Sequence, residues 1–529
     1  MSEWPASLPG YLDAPVDGSM LPATPAWIRG WTPWFDGGPA RVVVRVGGRR
    51  VGLARIACPR PDVAALTDHP FAPICGFEMM LDLADLGPGD ALIEVVAEGR
   101  GGEHRRIGAA RVTVAEARTV DPGVARPAPR RAERPGPLHV AAATNIFDLG
   151  GATTFFTDLV TRLHGSGFVV RATAPVDGPH RRWLEDAGVE TALLPAPPVH
   201  DPEAYEAWLD EVAPFVEGAD VMLPNTLATF GFADLATRRG IPTVWPVHEP
   251  MGMRAFWEVG YRGAMHPRVR ALAEDAFRHA SAVTICAEAT AEACRPFTDP
   301  GRVHVVRYGI DFEALAAAAA PIDRTAARRV EEIPQDALVV LCVGIVEERK
   351  GQGVLAQAFA TLGERHPGTV LVLLGARDRD PLLGALREHL RRSGDDGRVR
   401  IVPASPDRVR WLIMADLLVC ASDLEVLPLA VLEGMALGLP VVSTGVFGLP
   451  DVVIEGRTGF VCRPCDVEDL AEALSRALDD PGRWPDMSRE AAALVRERYA
   501  VAPFVGAHAQ LLKEAARGTS PNRPPPPVR

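Results

Sequence analysis

The sequence predicts an α/β protein in three parts: a small all-β, sandwich-like module, then two tandem domains, each a doubly wound parallel sheet covered by helices. Three observations carry this reading. The first 120 residues hold strand-type runs and Gly-rich turns with no helical period between them. After residue 138, short apolar runs alternate with helix-length stretches in two successive series. Between these regimes lies DPGVARPAPRRAERPGP, residues 121–137, whose prolines favour an extended, semi-rigid spacer. At 529 residues, 47% hydrophobic and 23% charged, the chain can fill several cores and is far from the composition of disordered proteins.

The start of the chain, residues 1–18, has acidic residues and prolines but no basic segment ahead of an apolar run, so no signal peptide is expected. The longest apolar stretches, such as Leu338 to Val346, are about half of the roughly 18 residues a membrane span requires. The expected location is therefore cytoplasmic. A net charge of −12 argues against nucleic acid as a partner, while a local arginine patch leaves peripheral contact with acidic lipid open. In the module, Ala40 to Val46 and Arg49 to Ile56 alternate around Gly47-Gly48, a hairpin signal, and further strands are expected at Gly76–Leu83, Ala91–Ala97 and Arg105–Val114. Trp27, Trp31 and Trp34 form either a sugar-stacking face or part of a buried core.

The first α/β series, residues 138–315, contains LHVAAAT, GFVVRATA, VETALL, ADVMLP, IPTVWPV, AVTIC and VHVVRYG. An Ala-rich stretch leads to the second, residues 330–500, with ALVVLCVGIV, TVLVLLGA, RVRIVPA, ADLLVCAS, PVVSTG and TGFVC. Residues 501–516 are expected to form a helix returning to the first α/β domain, and 517–529 a disordered Pro-rich tail.

Neither a dinucleotide G-x-G-x-x-G after a strand nor a P-loop is present. Gly150-Gly151 sits between the first strand of the first series and its helix, as a tight turn or as an anion-binding helix start. The chain has only two lysines, Lys350 and Lys513, among 56 cationic side chains, so Lys350 marks a place where a compact ammonium has resisted replacement by arginine. It lies in VGIVEERKG, the loop after the first strand of the second series; there Arg349 and Lys350 either meet an anion or pair with Glu347 or Glu348. Glu425 falls in a strand-to-helix loop and Glu433, after seven intervening residues, in the next helix, roughly 7 Å further along its axis. The helix start between them offers free N–H groups to a diphosphate. His248 follows an apolar strand and is either a satisfied structural histidine or a site residue. Residues 251–280 mix Met, Trp, Phe and Tyr with arginines, as core packing or as an acceptor surface. The lone Cys462-x-x-Cys465 lacks a second pair for zinc and reads as structural.

From Leu338 to Tyr499 the chain resembles the carboxy-terminal half of family 4 retaining glycosyltransferases of the GT-B fold. The resemblance rests on VGIVEERKGQ, LVLLGA, the Glu-x7-Glu stretch, GLPVVST, GLPD and GRTGF. Leu138 to Asp311 is similar through Gly150-Gly151-Ala152, Pro224-Asn225-Thr226, WPVHE and YGID, and the first module resembles, through RGW and VVVRVGGRRVG, accessory β-domains of polysaccharide-synthesis enzymes. The resemblance implies hexosyl transfer from a UDP- or GDP-sugar to a glycan or lipid-linked acceptor, as in cell-surface polysaccharide or glycolipid synthesis. It implies no metal and no cofactor beyond the donor. Gly150, Gly151, Arg349, Lys350, Val426 and Leu427 would bind the donor, Glu433 its ribose, Glu425 its sugar, and His248 would lie near the anomeric carbon. The chain departs from the family in having Ile345 where Arg is frequent, and Val426 and Pro428 where glycines are usual. Those departures keep two rivals open, a nucleotide-sugar epimerase and a non-catalytic glycan- or nucleotide-sugar-binding scaffold.

Overall fold

Alternating apolar and polar residues build the amino-terminal module as eight strands in the computed structural model, which describes residues 8, 10–32, 39–99, 102–116, 136–261, 263–363, 365–377, 380–395 and 397–518. These strands are β1 (Tyr11–Ala14), β2 (Ser19–Leu21), β3 (Pro25–Trp31), β4 (Pro39–Val46), β5 (Arg49–Cys58), β6 (Gly76–Asp82), β7 (Gly89–Gly99) and β8 (His104–Val114). They form one sheet in the order β1-β3-β6-β5-β4-β7-β8-β2, antiparallel except for β2 beside β8. The β4–β5 hairpin turns on Gly47 and Gly48, whose φ values of 55° and 81° are the left-handed pair a two-residue turn demands. Strand β5 belongs to both halves of the sheet, pairing with β4 up to Ala54 and with β6 from Arg55 on. Trp31 is 9% exposed and packs with Val63, Ala72 and Cys75, while the guanidinium of Arg29 lies 4.0 Å from the ring centroid of Trp27. Both tryptophans are thus used within the module rather than presented as a stacking face; Trp34 and spacer residues 121–135 lie outside the described residues, as does the tail beyond residue 518.

The chain divides into two units. One comprises Arg118–Asp311, Val426–Leu429 and Arg498–Arg529. Its strands β9 (His139–Ala143), β10 (Val169–Ala174), β11 (Glu190–Leu193), β12 (Val221–Pro224), β13 (Val244–Pro246), β14 (Ala282–Ile285) and β15 (Val303–Val305) correspond to the seven apolar runs of the first series. They are parallel, in the orders β11-β10-β9-β12 and β13-β14-β15, and a bridge between Met222 and Thr243 joins the two sheets. The helix Val501–Ala516 lies in this unit: His508 Nδ1–H donates to the Phe504 carbonyl at 3.0 Å, and its Nε2 accepts from the Thr284 hydroxyl at 3.0 Å.

The other unit comprises Met1–Ala117, Phe312–Glu425 and Ala430–Glu497. The β module and the second α/β series therefore form one body, whereas the sequence reading sets the module apart as an accessory domain ahead of a spacer. Six parallel strands complete it: β16 (Leu338–Val343), β17 (Thr369–Ala376), β18 (Val399–Pro403), β19 (Leu417–Cys420), β20 (Val441–Thr444) and β21 (Gly459–Cys462), in the order β18-β17-β16-β19-β20-β21. Continuous apolar runs such as Thr369–Ala376, buried at every position, are what a parallel sheet covered on both faces requires. One apolar core runs from Ile28, Val42 and Ile93 of the module through Val354 and Phe359 to Leu417 and Leu474. His389 Nδ1–H donates to the Pro70 carbonyl at 2.9 Å and Arg392 donates to the Thr67 carbonyl at 2.9 Å, so the loop before β6 is tied to the helix Pro381–Ser393. All eight cysteines are buried free thiols. No helix among the described residues is long and apolar enough to cross a membrane.

Candidate active site at the switch point of the second sheet

The strand order reverses between β16 and β19, and in open parallel sheets the crevice at the carboxyl ends of such a strand pair is where ligands bind. Two loops leave the sheet there. After β16 the chain runs through Gly344 to a short 3-10 turn, Glu348–Lys350, then Gly351 and the helix Gln352–Ala360. After β19 it runs through Ser422 and Asp423 to Glu425.

Backbone geometry fixes the first loop. Gly351 has φ 69°, and a Cβ there would collide with the Ala421 carbonyl oxygen. Gly375, at the end of β17, has φ 134°, and a Cβ there would meet the Gly344 carbonyl. Gln352, 1% exposed, closes the loop from inside: its Nε2 donates to the Ile345 carbonyl at 2.9 Å, and its Oε1 accepts from Glu347 N–H at 3.4 Å. Gly351→Ala is expected to cost ~1–3 kcal/mol of stability, through strain and loss of the close approach to Ala421, readable by differential scanning calorimetry.

The side chains then converge. Lys350 Nζ is ion-paired with Glu425 Oε2, and Arg349 Nη1 lies 3.4 Å from the same oxygen and 3.2 Å from the Leu424 carbonyl. Arg349 Nη2 also pairs with Glu347 Oε1 at 2.6 Å. The two loops are stitched by Asp423 N–H, which donates to the Arg349 carbonyl at 3.0 Å. Both Lys350 and Glu425 are largely shielded, with side-chain exposures of 16% and 14%, so their charges interact with little solvent screening. Glu433 sits on the helix Leu429–Ala436 and is 6% exposed. Each of its oxygens takes one bond from Arg408, at 2.7 Å from Nε and 2.5 Å from Nη2, a bidentate pair that fixes the orientation of the carboxylate. The side chains of Val426 and Leu427 are buried.

In the other unit, His248 and the Gly150-Gly151 loop belong to one hydrogen-bonded group. His248 Nε2–H donates to Asn225 Oδ1 at 2.7 Å, and Nδ1 accepts from the Tyr308 hydroxyl at 2.8 Å. The Asn225 amide in turn donates to Thr144 Oγ1 at 3.1 Å and to the Ala152 carbonyl at 3.0 Å. Burial, with a smaller share from His508, pushes the imidazole down to about 3, so it is neutral near pH 7. Phe155 lies edge-on to the ring, with centroids 4.3 Å apart. Gly150 is extended at φ 177°, and a Cβ on Gly151 would meet nothing within 4 Å, so neither glycine is demanded by a tight turn. They start a 15-residue helix whose amino end carries no side-chain cap.

Comparison with known proteins agrees with this architecture. The family model for glycosyl transferases group 1 matches residues 323–494, and that for a glycosyl transferase 4-like domain matches residues 150–309. The chain is 30% identical to a glycogen synthase of Mycobacterium tuberculosis over 300 residues, covering 56% of this chain and 68% of that relative. The chain belongs to the family 4-like GT-B glycosyltransferases. A D-inositol 3-phosphate glycosyltransferase of Catenulispora acidiphila is 36% identical over 201 residues, covering 36% of this chain and 46% of the relative. Among solved structures, Anabaena HepE in complex with UDP and glucose superposes with TM-score 0.61 at 18% identity, over 71% of this chain and 99% of HepE. WaaG, a glycosyltransferase involved in lipopolysaccharide biosynthesis, gives 0.57 at 20% identity, over 70% of this chain and 99% of its own. Neither family match reaches into residues 1–149 of this glycosyltransferase.

Of the residues singled out from sequence, Arg349, Lys350 and Glu425 are brought together at the switch point, and Glu433 stands on the helix that follows. Gly150, Gly151 and His248 fall in the other unit of the glycosyltransferase, and so do Val426 and Leu427. Sequence reasoning missed Arg408, Gln352 and Tyr308 as site residues. Tyr308 and Gln352 lay inside motifs already quoted, whereas Arg408 carried no signal. Among the described residues, no group of three or more His, Cys, Asp or Glu is placed to hold a metal ion.

Proposed function

We propose that this glycosyltransferase moves a hexosyl group from a UDP- or GDP-sugar to an acceptor hydroxyl on a glycan or lipid-linked glycan, with retention of configuration, in the synthesis of a cell-surface polysaccharide or glycolipid. The observation that carries the reading is the meeting of Lys350 and Arg349 on one edge of Glu425 at the switch point, with Glu433 on the helix that follows. Binding of UDP and glucose by the structural neighbour HepE supports a nucleotide-sugar donor.

In this reading the two cations hold the diphosphate, Glu425 accepts hydrogen bonds from the sugar, and Glu433, oriented by Arg408, accepts from the ribose hydroxyls. The bond from the anomeric carbon to the diphosphate oxygen breaks, and the acceptor oxygen bonds to the same face. The acceptor proton passes to the departing diphosphate. Charge neutralisation of the leaving group falls to Lys350, Arg349 and helix N–H groups, so the transfer needs no metal ion. His248, neutral and with both ring nitrogens engaged, is held as a fixed ring and not as the acid or base of this step. The site of action is the cytoplasm, at the inner face of the membrane when the acceptor is lipid-linked.

Calorimetric titration of the protein with UDP, GDP and ADP in the presence of a chelator tests the reading. Tight binding of UDP or GDP is the expected result; binding of no nucleotide would sink it in favour of a scaffold. Glu433→Ala is expected to weaken nucleoside diphosphate binding by ~10–100-fold, because two charge-assisted bonds to ribose are lost and Arg408 loses its partner. Measured with the bare diphosphate, pyrophosphate, the same variant should bind as the wild type does.

A further inference from the structure

The amino-terminal module reaches the switch point directly. Strand β5 runs under the start of the helix Gln352–Ala360: a Cβ on Gly353 would lie 2.7 Å from the Cβ of Ala57 and 2.9 Å from its carbonyl oxygen. Two residues earlier, Arg55 Nε donates to Asp423 Oδ2 at 2.7 Å, and its Nη1 donates to Glu78 Oε1 at 2.6 Å. Arg55 and Asp423 are both shielded, with side-chain exposures of 15% and 14%, and are 368 positions apart in the chain. Asp423 is the residue whose N–H bonds the Arg349 carbonyl, and it precedes Glu425 by two positions. One side chain of the module therefore holds the residue that stitches the two site loops.

We propose that Arg55, contributed by the amino-terminal β module, is a positioning residue for the donor site, fixing Asp423 and through it the Glu348–Lys350 turn and the Glu425 loop. The guanidinium is suited to the task because its planar fork spans two carboxylates, Asp423 and Glu78, at once, which an ammonium on a flexible stem does not do. Burial pushes the Asp423 carboxyl above its ordinary value, against the pull of Arg55, so without Arg55 this carboxylate is left in a shielded site with its main counter-charge gone. Loss of the pair would then free the loop backbone rather than only remove a surface charge. The module is a structural component of the catalytic unit in this view, which explains its sharing of one core with the second α/β domain. The assignment of the loops to a donor rests on the function proposed above.

The test uses the full-length chain and two variants, Arg55→Ala and Arg55→Lys, the second keeping the charge in case the first does not fold. Hydrogen–deuterium exchange of the unliganded protein is expected to rise in residues 348–351 and 421–425 in both variants, with the exchange of β9–β12 unchanged. UDP or GDP, whichever the wild type binds, is expected to bind ~10-fold more weakly to Arg55→Lys at an unaltered melting temperature, and Asp423→Asn added to that variant should cost little more, since both act through one contact. Wild-type exchange in those loops in Arg55→Lys, or wild-type nucleotide affinity in a folded Arg55→Ala, would overturn the proposal. If the wild type binds no nucleotide, the donor reading fails while the exchange experiment still decides the positioning role.

Discussion

Replacing Lys350 by alanine is expected to lower kcat/KM for sugar transfer by ~100–1,000-fold, the range seen when one preorganised electrostatic group is removed from a developing charge. The magnitude follows from where the ammonium sits. Its stem crosses Gly344 and its charge lies in a shielded pocket against Glu425, so its field is little screened by water. In the proposed reaction negative charge grows on the departing diphosphate, and a cation fixed beforehand stabilises that state more than the bound donor. Lys350→Arg should recover only part of the activity. The longer planar fork must share the space already held by Arg349, which is anchored on Glu347 and Leu424. Steady-state kinetics with titration of both variants decides the matter. Unchanged kcat/KM in Lys350→Ala would remove Lys350 from the reaction. A loss in Lys350→Ala confined to KM would make it a donor-binding group without a share in the chemical step.

The parts of this site that the sequence revealed are those set by local rules. Buried parallel strands are uninterrupted apolar runs, so β12, β14, β16, β17 and β19 could be marked from hydropathy alone, and the loops after β16 and β19 then located Lys350, Glu425 and Glu433. What could not be read are pairings across long chain separations. Arg408 is one of many arginines on a chain nearly devoid of lysine, 25 positions before Glu433 and on a different helix, so nothing local distinguishes it from a solvated cation. Arg55 is harder still, since its partner is 368 positions away and belongs to a domain the spacer seemed to separate from it. The fusion of the module with the second α/β domain has the same origin. Ala57, Pro70 and Thr67 look like ordinary loop and strand residues until the helices Gln352–Ala360 and Pro381–Ser393 are laid against them. Gly150 and Gly151 show the converse: the doublet suggests a turn, but Gly150 is extended and Gly151 opens the helix with free space at its Cβ position, so neither position requires glycine.

Acidification from pH 7 to pH 5 is expected to destabilise both units. His389, in the unit that holds the β module, and His508, in the other, are fully buried, and burial pushes each down to about 4. Because the folded-state value lies below the ordinary value of 6.5, the folded protein binds fewer protons than the unfolded chain between these limits. The stability these groups permit is complete above pH 6.5, falls as pH drops toward 4, and is not lost further below that. Each histidine should cost about 2 kcal/mol at pH 5. His69, beside Phe71 and pushed to about 4 by burial and then by His389, adds to the loss in the first unit. Protonation there would place two positive charges at the loop that ties the module to the helix Pro381–Ser393, so the module's docking should loosen first. Thermal melts at pH 7, 6 and 5 are expected to show a falling midpoint. His389→Gln, whose side-chain amide can still donate to Pro70, should flatten the pH dependence of the unit it belongs to and leave that of the other unchanged. An equal slope in wild type and His389→Gln would mean that this imidazole takes up protons equally in the folded and unfolded protein, and that the Pro70 contact holds the module in place without depending on a neutral ring.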